Sequence, residues 1–481
     1  MTQPSFIDFY TTLLSFTILV AWACVLLVVD LFIPKERKGL TASLAALGLA
    51  VALAYCIAQV GISNTGFSGM AVLDGFSTFA NVLLLISGLF GIALAYGYAE
   101  RMDIQRGEYY ILLLFSVSGM MLMAQAADLI IVFLALELLS IPLYVLAAIS
   151  RKLESEEAGV KYFLLGAFAT GFVVYGTALV FGATESTSLT EISLAASNGP
   201  PSLLLTIGAA LILVGFGFKV AAVPFHMWTP DVYQGAPTSV TAFMSSGAKI
   251  AGFVALLRVF ATAFPSISTD LTNILWALAA LTMIVGNFIA LSQTNIKRML
   301  AYSSIAHAGY ILMAFVPYGN KDVVETSIAA GLFYLMAYMF TNFGAWAVVI
   351  SLEKAEGKGL ELSDYAGLAK KYPALAMAMT VFMLSFIGFP PTLGMVGKFY
   401  LFRAAIAGGF NGLALIGVFT SLISAYYYLR VVVNMYMREG EPVTEREPFL
   451  AFTTTVTAAA TVALSFVPQW LFLLASKAML K

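Results

Sequence analysis

Long apolar stretches recur from one end of this 481-residue chain to the other. A helix needs about 20 apolar residues to cross a bilayer, and it satisfies its own backbone hydrogen bonds where no water is present. Charged residues make up 11% of the chain, against roughly 25% in an average soluble domain. The sequence therefore predicts an all-α polytopic membrane protein embedded in a lipid bilayer.

The apolar stretches predict about fourteen membrane-spanning helices. The first stretch, from Phe6 to Pro34, is too long for the apolar core of a signal peptide and lacks a basic leader, so it is expected to remain as a helix. The expected limits of the helices are 9–33, 41–62, 75–98, 109–126, 127–149, 157–182, 202–226, 237–264, 271–291, 295–317, 322–351, 373–404, 409–437 and 449–478.

Basic residues fall in alternate connections between the predicted helices. Cytoplasmic loops carry an excess of lysine and arginine, so these connections are expected in the cytoplasm and both chain termini on the outer side. The opposite connections and the termini hold only Lys321, Lys477 and Lys481. The basic connections hold Lys35, Arg37, Lys38, Arg101, Arg106, Arg151, Lys152, Lys161, Lys297, Arg298, Lys354, Lys358, Lys370, Lys371, Arg438 and Arg446.

Prolines interrupt two of the predicted helices. The seventh helix runs into VPFHMWTPDVYQGAP, and the twelfth contains SFIGFPPTLGMVGKF. Proline removes a backbone hydrogen bond, and a break at membrane depth is tolerated where it lines a cavity or is buried in protein. Paired interrupted helices in corresponding positions of two halves indicate the site of a transporter built from repeats. Both helices are therefore expected to be broken and functional.

The spacing of the two breaks predicts an inverted repeat. They are five helices apart, and an odd number of helices reverses the orientation of the second copy, so helices 4–8 and 9–13 are expected to form two inverted five-helix repeats. The expected organisation is an N-terminal three-helix segment at 1–108, the first repeat at 109–264, the second repeat at 265–437 and a C-terminal helix at 438–481.

Four charged side chains lie deep inside the apolar stretches: Glu137, Lys219, Lys249 and Lys398. A charge at the centre of a spanning helix costs about 2.5–3.5 kcal/mol on insertion scales, so such residues are usually functional and usually paired. Lys219 is the expected partner of Glu137. A static buried ion pair is the alternative for these two, and snorkelling to an interface is the alternative for Lys249 and Lys398. One acid and three lysines at membrane depth indicate a route for protons or ions.

Few residues in the chain are suited to hold a cofactor. The two cysteines, Cys24 and Cys56, are too few for a disulfide framework or an iron–sulfur site, and two histidines do not make a His-rich metal site. His307, in YSSIAHAGY, is a candidate proton relay or a hydrogen-bonded core residue, and His226 is expected to pack in a loop. No basic cluster indicates nucleic-acid binding. We therefore expect no cofactor and no metal in this chain.

Three segments resemble a known family. They are GFGFKVAAVPFHMWTPDVYQGAPTSVTAFMSSGAKIAGF, ALSQTNIKRMLAYSSIAHAGY and GFPPTLGMVGKFYLF. They resemble the antiporter-like subunit N of bacterial NADH:quinone oxidoreductase (respiratory complex I). The related L and M subunits and the Mrp-type antiporters tend to have a histidine before the eighth-helix lysine, whereas here that stretch is SSGAKIA. This difference favours subunit N over its paralogues.

The resemblance implies fourteen helices, two inverted repeats, broken helices 7 and 12, and functional charges at Glu137, Lys219, Lys249 and Lys398. It also implies a place in the bacterial inner membrane, among the membrane-arm and peripheral subunits of the complex. Those partners would hold FMN, iron–sulfur clusters and quinone, and this chain would be a proton-translocating component without a redox centre of its own.

The expected mechanism moves a proton from Lys219, paired with Glu137, to Lys249 and then to Lys398, which releases it outside. Three alternatives remain open. The chain could be a subunit of an Mrp-type cation/proton antiporter, which would need an acidic cation site. It could serve a related complex fed by ferredoxin or F420H2. It could also be a structural subunit that does not pump, in which case removing the charges of Glu137 and Lys219 would affect assembly only.

Overall fold

The computed structural model describes residues 6–197, 199, 202–478 and 480, with the side chains of 6–10 left out. Residues 1–5 and Lys481, which belong to the termini expected on the outer side, lie outside the described residues. The described chain is mostly helical and has one antiparallel two-stranded hairpin. This agrees with the all-α membrane fold expected from the sequence.

The helices follow one another with short connections. Their limits are α1 Phe6–Asp30, α2 Lys38–Ala58, α3 Gly75–Arg101, α4 Gly107–Gln125, α5 Leu129–Ala147, α6 Leu153–Thr184, α7 Leu189–Ser197, α8 Leu203–Val220, α9 Trp228–Gly235, α10 Thr238–Phe243, α11 Lys249–Ala263, α12 Ser268–Ala290, α13 Ile296–Phe315, α14 Val324–Leu352, α15 Leu368–Lys371, α16 Pro373–Ile387, α17 Leu393–Ala407, α18 Asn411–Met437, α19 Pro448–Ala463 and α20 Pro468–Lys477. The hairpin strands are β1 Asn64–Gly66 and β2 Ala71–Leu73.

Helix is present in all fourteen predicted segments of the described chain. Twelve helices in that part of the chain are long and apolar enough to cross a membrane. The predicted tenth and twelfth helices are not among the twelve: α13 is rich in polar residues, and the twelfth is divided into α16 and α17. The number fourteen therefore stays a prediction.

The expected breaks in the seventh and twelfth helices are present. The seventh helix ends at Val220, earlier than the predicted residue 226, because Ala221 takes a left-handed conformation with a φ of 63°. The chain then turns through Pro224 and forms α9, a short helix where a loop was expected. The twelfth helix ends at Ile387 and resumes at Leu393 as α17.

Helix α7 is another helix that the sequence did not predict. Helix α7 has nine residues, too few to span a membrane, and lies between α6 and α8. Its buried residues are Leu189, Ile192 and Ala196, which follow helical spacing on one face only. A search for long apolar stretches overlooks such a short amphipathic helix.

Ion pairs hold the predicted cytoplasmic connections together on one face. Asp231, in α9, accepts hydrogen bonds from Lys161 and Arg298, each at 2.9 Å. Arg101, at the end of α3, donates to Glu447 at 2.6 Å, before α19. These residues come from five connections that the charge pattern assigns to the same side. We call this side of the molecule the basic face.

At the opposite face, Asp74 and Arg258 form a fully buried ion pair. Two guanidinium nitrogens of Arg258 donate to the two carboxylate oxygens of Asp74 at 3.1 and 2.8 Å, and Nε donates to the Ala124 carbonyl at 2.9 Å. Asp74 also caps α3, where its carboxylate accepts from the Ser77 amide at 2.8 Å. One ion pair therefore holds α3, α4 and α11 together, and the sequence did not single out either residue.

We expect Asp74→Asn to destabilise the protein by about 3–5 kcal/mol, because it leaves the Arg258 guanidinium buried without a counter-charge. Asparagine still caps α3, so the loss reflects the charge. The measurement is the denaturant midpoint of unfolding. Glu439→Gln, in a pair whose side chains are 72% and 93% exposed, is the control and is expected to leave the midpoint unchanged. An equal midpoint for the two variants would contradict a stabilising role for the Asp74–Arg258 ion pair.

Candidate functional site

Lys219 lies in the last turn of α8, just before the first break, and is 5% exposed. Its ammonium nitrogen Nζ donates to Ser140 Oγ at 2.7 Å and lies 5.7 Å from the centre of the Tyr162 ring. Ser140 is on α5, one turn after Glu137. The first lysine is therefore held by a neutral hydroxyl and an aromatic face.

Among the described residues Glu137 and Lys219, which were expected to be partners, form no direct ion pair, although the charge of Glu137 reaches the ammonium group of Lys219. Glu137 is half-buried and instead accepts a hydrogen bond from Thr170 Oγ1 at 2.8 Å. Ser140, three residues along the same helix, reaches Lys219 first. A cavity of about 10 Å³, near the volume needed for one water, is lined by Ser140, Thr170 and Lys219. Lys219 thus borders this small space directly, and Glu137 is connected to it through its hydrogen-bond partner Thr170.

Lys249 begins α11, directly after a π-helical turn at Met244–Ala248. Such turns are rare and frequently occur at functional sites. The side chain is 2% exposed, and its Nζ donates to both the hydroxyl, at 2.6 Å, and the carbonyl of Ser304 on α13. Nζ also lies 5.9 Å from the centre of the Tyr338 ring.

A glycine lets the helices of the first two lysines approach each other. Gly252 is one turn after Lys249, and a Cβ at that position would lie 3.3 Å from Cγ of Lys219 and 3.1 Å from Val220. These distances are tighter than ordinary van der Waals contacts. Lys219 therefore packs against α11 at a position one turn from Lys249.

Lys398 lies on α17, after the second break, and is 3% exposed. Its Nζ donates to the carbonyls of Phe386 and Ile387 at 2.8 and 3.0 Å and to Ser421 Oγ at 2.7 Å. The two carbonyls belong to the last turn of α16, where the helix dipole favours a cation. The break in the helix thus creates the acceptors that hold the lysine. The two breaks differ in this respect, since Lys219 precedes its break and Lys398 follows its own.

His307 lies in a hydrogen-bond network between the second and third lysines. Its Nδ1 is 2.6 Å from the Tyr334 hydroxyl, and its Nε2 is 3.1 Å from the Tyr428 hydroxyl. The Tyr428 hydroxyl also shares a short hydrogen bond with Ser303, which precedes the serine that holds Lys249. Both ring nitrogens therefore have partners, as a relay or a well-anchored core histidine requires.

Tyr310 connects this network to Lys398. It lies three residues after His307 on α13, and the centre of its ring is 4.5 Å from Nζ of Lys398. Its hydroxyl donates to Thr420 Oγ1 at 3.2 Å. Hydroxyl, imidazole and aromatic groups thus extend from Lys249 to Lys398 through the buried interior.

The structure places the sequence-predicted residues in one series. Lys219 contacts the helix of Lys249. Ser304, which holds Lys249, is next in sequence to Ser303 of the His307 network, and the His307 ring contacts Tyr310, whose ring lies beside Lys398. Glu137 borders the first lysine. Within the described residues, no group of three or more histidine, cysteine, aspartate or glutamate side chains is arranged to hold a metal ion. The arrangement suits proton transfer, because every member donates or accepts hydrogen bonds.

Two outlying residues keep structural roles at the basic face. Burial acts to raise the pKa of Asp231, but hydrogen bonds from Lys161 and Arg298 outweigh it and hold the pKa below its ordinary value. Asp231 therefore stays ionised and joins three connections. His226 lies in the first break, where burial lowers its pKa. Its neutral form is favoured near pH 7, as a loop-packing role requires.

Sequence reasoning missed Lys297 and Glu353, which were counted as ordinary loop charges. Lys297 is 2% exposed and Glu353 is 7% exposed. A signal was present for Lys297: it precedes Ser304 by seven residues, so both lie on one face of α13. No comparable pattern points to Glu353, whose burial depends on how α14 packs against distant helices.

Comparison with known proteins identifies close relatives of this chain. Residues 126–424 match the membrane family described as NADH:quinone oxidoreductase/Mrp antiporter. NADH-quinone oxidoreductase subunit N of Trichlorobacter lovleyi is 48% identical over 92% of this chain and 89% of its own length.

Solved structures share the same architecture. A chain of respiratory complex I from Thermus thermophilus is 37% identical, covers 96% of this chain and 99% of its own length, and has a TM-score of 0.83. A chain of the Mrp complex from a Dietzia species has a TM-score of 0.85 with 22% identity, covering 98% of this chain and 97% of its own length. The second similarity concerns the fold alone.

We expect Gly394→Ala to destabilise the protein by about 1–3 kcal/mol, because a Cβ there would lie 2.0 Å from the Ser385 carbonyl oxygen and force α16 and α17 apart. Gly412→Ala is the control, since nothing lies within 4 Å of its Cβ and alanine favours helix. The measurement is the thermal unfolding midpoint. Equal midpoints for the two variants would show that the α16–α17 contact is not tight.

Proposed function

The chain belongs to the family of NADH-quinone oxidoreductase N subunits, and on that premise we propose that it moves protons along Lys219, Lys249 and Lys398. It is an antiporter-like, proton-translocating membrane subunit of a translocase complex. The reaction of the complex is the oxidation of NADH by quinone. Our proposal concerns which residues of this chain carry the protons.

The observation that supports the proposal is that all three lysines are buried and hydrogen-bonded but form no ion pair within the described chain. Each is at least 95% buried, each donates to hydroxyl or carbonyl oxygens, and none takes part in an ion pair within the described chain. An ammonium group that is buried without a counter-charge is expensive, so a purely structural lysine would be paired or replaced. An amine that changes between charged and neutral forms explains why the residues are retained without partners.

The proposed sequence of steps begins at Lys219. A proton from the basic face is held there while the carboxylate of Glu137 is near, because an opposite charge favours the protonated amine. A movement of Glu137, or a change in its charge, weakens this hold and releases the proton to Lys249. From Lys249 the proton passes Ser304, His307 and the surrounding hydroxyls to Lys398, and it leaves on the face opposite the basic one.

The setting of these steps follows from the family and from the charge pattern. We place the chain in the inner membrane of a bacterium, with the basic face toward the cytoplasm and both termini outside. We interpret 109–264 and 265–437 as the two inverted repeats, flanked by 1–108 and 438–481. We assign FMN, iron–sulfur clusters and quinone to partner subunits, as the family implies, and the two cysteines of this chain are too few to ligate an iron–sulfur cluster.

The other candidate functions receive less support. A cation-exchanging subunit would need oxygen ligands from several carboxylates, whereas the series contains one carboxylate and three lysines. A complex fed by ferredoxin or F420H2 would use the same proton route, so it differs only in its partner subunits. A scaffold without pumping activity is separated from our proposal by experiment.

We expect Lys219→Ala to abolish redox-driven proton translocation while the complex still assembles. The physical reason is that alanine cannot hold a proton beside Glu137. The measurement is proton uptake or release by vesicles that contain the assembled complex, with subunit content checked in the same preparation. Lys358→Ala removes a lysine whose side chain is 74% exposed on the basic face and serves as the matched control.

The outcome separates the two remaining functions. Loss of translocation in an intact Lys219→Ala complex, with normal translocation in Lys358→Ala, agrees with the proton route. Normal translocation in both complexes would make the lysines structural and would support the scaffold.

A further inference from the structure

A second buried acid–base group lies near the basic face, outside the series of three lysines. It consists of Glu353, at the end of α14, Lys297, in the first turn of α13, and the hydroxyls of Tyr98 and Tyr365. We call these four residues the basic-face cluster. All of them are more than nine-tenths buried, although they come from connections rich in exposed charge.

Only one of the two carboxylate oxygens of Glu353 accepts a hydrogen bond within the described chain. Oε1 accepts a hydrogen bond from the Tyr98 hydroxyl at 3.3 Å, but the buried Oε2 has no hydrogen-bond partner within the described chain. The Tyr365 hydroxyl, which is close enough to sense the charge of Glu353, also has no partner there. Burial, and then the charge of Glu353, raise the pKa of Tyr365, so this hydroxyl keeps its proton. Unpartnered buried polar atoms are costly and call for an explanation.

Lys297 lies near Glu353 without forming an ion pair. Its Nζ donates to the carbonyl of Ala236 at 2.6 Å, and the charge of Glu353 reaches it. The Tyr98 hydroxyl accepts from the Thr238 amide at 3.0 Å. The cluster thus holds both sides of Pro237, where α9 connects to α10.

Buried residues with hydroxyl groups lie along the sequence between this connection and Lys249. Asn342 on α14 donates to two of them, Ser245 Oγ at 2.6 Å and Ser246 Oγ at 2.8 Å. Along α13, Lys297 is about 10 Å from Ser304, the residue that holds Lys249. The fully buried hydroxyl residues between the cluster and Lys249 are Thr238, Ser239, Thr241, Ser245 and Ser246.

A purely structural role for Glu353 is already filled by its neighbours. Arg101 donates to Glu447 at 2.6 Å and to the Ile350 carbonyl at 2.7 Å, and so fastens α3, α14 and the α19 connection. A further lock would place its acid and base in contact, as Arg101 and Glu447 are. Within the described residues Glu353 and Lys297 form no ion pair, so neither charge fixes the protonation state of the other by direct contact.

We propose that Glu353, with Lys297, is the site where protons are taken up at the basic face for delivery to Lys249. A proton first binds the Glu353 carboxylate. It then passes to Lys297, whose neutral amine becomes an ammonium group, and Glu353 returns to a carboxylate. From Lys297 the proton moves along the buried hydroxyls to Lys249, and Lys297 returns to a neutral amine that can accept another proton. Lys249 then receives protons by two routes, one from Glu353 and one from Lys219. This inference rests on the proposed function, because it needs Lys249 to carry protons.

The test compares Glu353→Gln with Glu356→Gln in vesicles that contain the assembled complex. Glu356 lies three residues further on, with a side chain that is 72% exposed, and is the matched control. Proton uptake on the basic side and electron transfer are measured together from about pH 6 to about pH 8. The titratable groups that the charge of Glu353 reaches are Tyr98, Tyr365 and Lys297, and the Arg101–Glu447 pair is joined to α14 at the Ile350 carbonyl; all of them are present in both variants.

Glu353→Gln is expected to lower the proton uptake rate about tenfold or more near pH 8, where protons are scarce, with a smaller loss near pH 6. Glu353→Asp keeps a carboxyl group and is expected to restore most of the rate. Uptake by Glu353→Gln equal to the Glu356→Gln control at every pH would overturn the assignment. If Glu353→Gln fails to assemble, Lys297→Met decides in its place, with the same alkaline loss expected.

Lys249→Met in the same assay separates this inference from the proposed function. If Lys249→Met stops pumping and Glu353→Gln matches its control, the uptake site is wrong and the proton route stands. If both variants pump normally, the uptake site and the proton route both fail.

Discussion

The cost of holding a charge in a medium without water is the constraint on which the rest of this structure depends. Three lysines are buried among helices that are otherwise apolar, and none has a carboxylate in contact. Each is placed where a neutral oxygen is available, from a serine hydroxyl or from a helix end. Hydrogen bonds to these oxygens therefore lower the cost of burying the charged amine. They do not hold its proton permanently, as an ion pair with a carboxylate would.

Irregular backbone lies next to each of the three lysines, and at Lys398 it also supplies acceptors. The break between α16 and α17 exposes the carbonyls that hold Lys398, and the π-helical turn before α11 comes directly before Lys249. Glycine brings the helices together at these points, as at Gly252 and Gly394. The proline-containing breaks, the glycines at close helix contacts and the buried lysines therefore occur together in the same part of the interior.

The all-α membrane fold could be predicted from the sequence, because spanning helices are set by the length of apolar stretches. The direction of the helices, inferred from the basic loops, stays a prediction. Three of the four charges singled out are fully buried, and both helix breaks are present. The partnership of Glu137 and Lys219 stays a prediction, and spacing along the chain does not show that Ser140 is the residue that accepts the hydrogen bond from Lys219. The burial of Glu353 could not be predicted either, because it depends on side chains more than 200 residues away along the sequence, such as Tyr98.

The most direct test of one continuous route is the number of protons moved per electron by a complex carrying Lys398→Met. Lys398 is the last of the three lysines and lies on the far side of His307 from Lys249. If the lysines form a single line, removing the last should lower the ratio of protons to electrons in an intact complex as much as removing the first. An unchanged ratio would contradict the account, because protons would then cross this chain without using its final lysine.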